Sequence, residues 1–87
     1  MNKKFLTDSV GKLIDIKQDI EALAEEFETV VNELQDEFDN KSEAWQEGDK
    51  GEKAAMKIDD FGSVKDTLES LAEEVNELVD TVGELNT

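Results

Sequence analysis

Two long runs in which an apolar residue recurs every three or four positions constrain this chain more than anything else in it. The first is Leu6, Ser9, Leu13, Ile16, Ile20, Leu23, Phe27, Val30, Leu34, with Ser9 its one polar member. The second is Phe61, Val64, Leu68, Leu71, Val75, Leu78, Val82, Leu85. A 3,4 spacing keeps one face of an α-helix apolar and has no counterpart in a strand, where the period is two. With Leu13 at heptad position a, these residues fill a and d, the seam of a coiled coil. A further line at e runs beside each seam: Val10, Ala24, Val31 and Phe38 in the first run, Ile58, Ala72 and Val79 in the second.

Between the runs lies Asn40 to Glu52, with the only Trp and two of the five Gly residues. Its stop and start signals overlap. Asn40 suits a left-handed helix end, Ser42 can cap a short turn through Trp45, and Gly48 suits a C-terminal exit. Asp49 with Glu52 three later has capping-box spacing. The expected chain is a single all-α domain over 1–87: helix about 8–40 capped by Thr7 or Asp8, elbow about 40–52, helix about 52–84. Gly62 inside the second helix, at about 1 kcal/mol relative to Ala, is expected to distort that helix locally without breaking it.

Charge sets the direction of pairing. Residues 1–17 carry four Lys and two Asp, whereas residues 66–87 carry seven acids and no Lys. An antiparallel two-helix hairpin sets these segments side by side, and a short connection suffices for it. It should bring Phe27 near Leu68 and Ile16 near Leu78 or Val82. An a/d/e stripe is wider than one neighbour covers. With a and d taken as the seam, Val10, Val31, Phe38, Ile58 and Val79 should stay uncovered and draw two hairpins into a homodimeric four-helix bundle. Trp45 is expected to plug the elbow end of the bundle, or else to anchor a partner.

Several chemistries are excluded. Without Cys or His there is no disulfide, thiolate or imidazole site, and no phosphate-binding Gly loop or calcium loop is written in the sequence. Acid pairs such as Glu25/Glu28 and Glu74/Glu77 have the spacing of magnesium-binding pyrophosphohydrolase helices. They lack the basic residues that such an enzyme needs for phosphate, so a non-enzymatic protein without cofactor or metal is expected. After the basic start only Phe5 and Leu6 precede polar residues. That is too short for a signal peptide, so a cytoplasmic protein is expected.

Nine basic residues, all Lys, against 24 acids leave a net charge of −15. That charge opposes binding to nucleic acid or an anionic membrane and favours a basic protein as partner. It also exceeds the ~2–8 that keeps a small domain soluble. Carboxylates one helical turn apart lie ~5–6 Å from each other, a spacing comparable with successive phosphates on a strand. The acids expected to meet a basic surface are Glu21, Glu25, Glu28, Glu33 and Asp36 on the first helix, with Glu69, Glu73, Glu77 and Asp80 on the second.

In composition and helical form the chain resembles phage-encoded DNA-mimic inhibitors of restriction or CRISPR enzymes. The segment Ser42-Glu-Ala-Trp-Gln-Glu-Gly-Asp-Lys-Gly-Glu52 is similar to an element recurring in small phage helical proteins. The resemblance implies an inhibitor that occupies a basic nucleic-acid-binding site in the host cytoplasm. A different expectation is an assembly module that binds its partner through an apolar edge at Val31, Phe38 and Trp45.

Overall fold

The computed structural model describes residues 3–85. These are almost entirely helical and contain no strand: α1 spans Lys3–Asp39, α2 Glu43–Glu47 and α3 Asp49–Leu85. The chain forms a rod of 65 × 14 × 12 Å. α1 begins at Lys3, ahead of the expected cap, so Thr7 and Asp8 lie within the helix. The extension carries the apolar ladder to Leu6, which is only 4% exposed. No acid occupies the first turn, so burial of Leu6 holds this end against an unfavourable macrodipole.

α1 and α3 pack along their lengths. The Phe27 and Phe61 rings lie 5.7 Å apart, centroid to centroid, at 58°. Leu34 and Phe38 close on Ala54 and Ile58 nearer the elbow, and Lys17 to Glu28 share a groove with Glu69 to Glu77 farther from it.

The faces that meet are not the a/d seam read from the spacing. Ala24 and Ala72, both at e, are each 5% exposed, the deepest apolar positions with Leu6. Val10, Val31, Phe38, Ile58 and Val79, expected to stay uncovered, are half-buried, as are Leu13, Ile20, Phe27, Leu68 and Val75 at a. Most d positions face outward instead: Ile16 is 47% exposed, Leu23 and Leu71 42%, Leu78 51%, and Val64 and Leu85 are exposed with them, while Ser9 and Val30 are half-buried. The seam is therefore a/e. Alanine at e lets the helices close tightly at Ala24 and Ala72.

The elbow explains how α1 stops. Asn40 does not enter the left-handed region, and no described residue has positive φ. The Asn40 amide donates to the Asp36 carbonyl and the Lys41 amide to that of Phe38, each at 3.1 Å, and the Gln46 side-chain amide secures the turn that follows, donating to the carbonyls of Phe38 (2.9 Å) and Lys41 (3.2 Å). Ser42 caps α2, its Oγ accepting from the Trp45 amide at 3.2 Å. Gly48 ends α2 in an extended conformation, and its carbonyl accepts from the Glu52 amide at the start of α3. Trp45 meets Phe38 edge to face at 6.2 Å, with the Lys41 ammonium 5.3 Å from the indole centroid. It is half-buried as the plug of this end. Gly51 is buried, and a Cβ there would overlap the carbonyls of Trp45 and Gln46. α3 runs unbroken through Gly62, where a Cβ would meet nothing within 4 Å.

Candidate acidic groove

Wherever e holds alanine, the two helices leave a trough along one side of the rod. Ala24 and Ala72 form its floor, and charged side chains from both helices form its walls. The groove is open and encloses about 670 Å³. Six of the nine acids proposed from the sequence line it: Glu21, Glu25 and Glu28 from α1, with Glu69, Glu73 and Glu77 from α3. Glu33, Asp36 and Asp80 are exposed outside this lining. The stretch from Lys17 to Glu28 spans about 16 Å at 1.5 Å per residue.

Two lysines temper the field. Lys17 Nζ lies 3.8 Å from Glu21 Oε2, and Lys65 Nζ lies 3.3 Å from Glu69 Oε1, each an i,i+4 pair on its own helix. The hydrogen bond and charge of Glu69 hold the Lys65 ammonium above its ordinary pKa of 10.5, and the charge of Glu28 adds to this. Glu25, Glu28, Glu73 and Glu77 form no ion pair among the described residues. The described residues contain no cluster of three acids placed to hold a metal ion.

The sequence reading missed the floor. Alanine at e, in a line that otherwise holds Val, Phe, Ile and Lys, was the signal: a small residue in a helix contact leaves room above it. Lys17 and Asn76, which also line the groove, fell outside the proposed set, although Lys17 occupies the same e line. At the elbow, Phe38 and Trp45 close a cavity of about 290 Å³ with Leu34 and Ile58, so these rings are engaged within the chain. No described helix is long and apolar enough to cross a membrane. No family model matches the sequence, and neither a curated protein nor a solved structure gives a significant match to it.

Proposed function

We propose that this chain is a non-enzymatic acidic binding protein, an antiparallel helical hairpin that blocks a basic nucleic-acid-binding surface of a partner protein and works as a homodimer. The observation carrying the reading is the convergence of six carboxylates from two helices along one groove. Linear charge density supports it too. A net charge of −15 along 65 Å is one charge per about 4.3 Å, against ~3.4 Å for one strand of a duplex. Residues 1–2 and 86–87 carry no charged side chain, so the charge and the rod cover the same residues. The proposed setting is phage counter-defence in the host cytoplasm, with a restriction or CRISPR enzyme as target.

A competition assay tests the reading. The protein should displace a labelled duplex oligonucleotide from a restriction or CRISPR enzyme, less effectively as salt rises, because counterions screen the contact. Glu25→Gln, Glu28→Gln, Glu73→Gln and Glu77→Gln together should abolish displacement while helicity persists. Displacement untouched by these substitutions, or by salt, would remove the acidic groove from the mechanism. A second reading, an assembly module with an apolar contact, draws support from the exposed d positions, Ile16, Leu23, Leu71 and Leu78. Val31, Phe38 and Trp45, first expected to form that edge, are half-buried within the chain.

A further inference from the structure

The d positions are not scattered over the rod. On a helical wheel a and e lie 40° apart, and d lies 60° beyond a on the side away from e. When two helices of opposite direction meet through a/e, their d lines therefore emerge on the same side of the pair. The facing residues already described set the levels: Ile16 with Leu78, Leu23 with Leu71 and Val30 with Val64 fall together to within a turn. The result is an apolar ladder of three rungs along one flat side of the rod. The acidic groove, floored by Ala24 and Ala72 at e, opens on the opposite side.

We infer that this d face is the seat of a second copy of the chain, so that docking d face to d face turns the two acidic grooves outward on opposite sides of the dimer. The inference rests on the homodimeric reading above and adds to it the surface and its consequence, a bivalent acidic particle. Area favours a second copy. The chain exposes 6523 Å², about 1,400 Å² more than the ~5,100 Å² of a compact monomer of 9.7 kDa. The whole side of the rod, 65 Å long and 14 Å wide, offers about 900 Å², against the ~800 Å² per partner of a stable interface, and the three apolar rungs take up roughly a third of its length. Shape favours it as well, since a flat side of this length and width is matched end to end by itself. The three-wide a/d/e stripe is then covered in full, a/e by the sister helix and d by the second copy. Asp19, Glu26, Glu33, Asp60 and Glu74 flank the ladder and repel across the interface. Salt should therefore strengthen self-association, the opposite of its effect on a groove that binds a basic partner.

Sedimentation equilibrium at micromolar concentration in moderate salt should give twice 9.7 kDa. Leu23→Lys with Leu71→Lys should halve that mass with helicity kept, because both side chains are already exposed in the single chain. Glu25→Lys with Glu73→Lys, on the groove side, should leave the dimer. Thiol protection supplies a check that depends on no destabilising charge. In this Cys-free chain, a thiol introduced by Leu71→Cys should resist alkylation at high concentration and react freely on dilution, while one introduced by Glu73→Cys reacts freely throughout. A dimer that survives Leu23→Lys with Leu71→Lys, or a Leu71→Cys thiol equally reactive at all concentrations, overturns the d face but leaves dimerisation standing. A monomer mass for the unmodified chain overturns both, and neither result bears on competition by the groove.

Discussion

Two glycines in the same helix should respond to alanine with opposite signs. Helix propensity alone favours Ala over Gly by about 1 kcal/mol in a helix interior. At Gly62 nothing opposes that gain, since a Cβ there has open space around it. Gly62→Ala should therefore stabilise the fold by about 1 kcal/mol, a rise of roughly 4–8 °C in Tm for a domain of this size. At Gly51 the Cβ would overlap the carbonyls of Trp45 and Gln46, backbone atoms that give way only if α2 moves as a body. Moving α2 loosens the two hydrogen bonds from Gln46 and the Phe38–Trp45 contact.

Hydrogen bonds of this kind contribute about 1 kcal/mol each and an aromatic pair about 0.5–1.5 kcal/mol. Loss of the set, less the gain in propensity, leaves Gly51→Ala destabilised by about 2 kcal/mol, or roughly 8–16 °C. Thermal melts followed by circular dichroism, at one protein concentration for all three chains, measure both signs. Trp45 is the only Trp, so its fluorescence separately reports whether α2 has shifted. A Gly51→Ala chain that melts at or above the parent, with unchanged Trp45 emission, would refute the close approach of α2 to α3.

Three further outcomes follow from the same contacts. Gln46→Ala should cost about 1–2 kcal/mol by removing the two hydrogen bonds to the Phe38 and Lys41 carbonyls, read as a lower urea midpoint and red-shifted Trp45 emission. Phe27→Asp, which breaks the Phe27–Phe61 contact and places a carboxylate in the a/e seam, should abolish cooperative melting, whereas Leu23→Asp, on the exposed d line, should keep its helicity. The raised pKa of Lys65 means that its pairing with Glu69, wherever that carboxylate is ionised, stabilises the fold below pH 10.5 and is lost as pH rises through the folded value; a Lys65→Gln chain should lack that alkaline decline in Tm.

Much of the fold was legible because it rests on period alone. The 3,4 spacing from Leu6 to Leu34 and from Phe61 to Leu85 allowed two long helices and nothing else, and Ser42 and Gly48 marked the ends of α2 by their own chemistry. The groove was half legible. Glu21, Glu25, Glu28, Glu69, Glu73 and Glu77 could be named as acids, but their convergence depends on how each helix is rotated about its axis. Period does not carry that rotation. In a stripe three residues wide, a/d and a/e are both apolar seams, and the larger residues at d made a/d the natural choice. Gln46 was not legible at all as a partner of the elbow carbonyls, because its acceptors lie eight and five residues back in the chain.

What selects a/e is found at the elbow. Phe38 and Ile58 stand at e, and Gly51, one heptad before Ile58, stands there too. α2 sits over Phe38 through Trp45 and against Gly51 through the carbonyls of Trp45 and Gln46. A short helix wedged at the junction can touch both long helices only on the sides that carry these residues, so its position rotates both e lines inward. From that end the phase is carried along both helices, which are continuous and drift by only ~20° per heptad. Ala24 and Ala72 then arrive in the contact and open the groove, while Leu23 and Leu71, one residue earlier in each helix, are carried outward. The elbow thus fixes which carboxylates converge and which apolar residues remain for a second copy, although it contributes none of either.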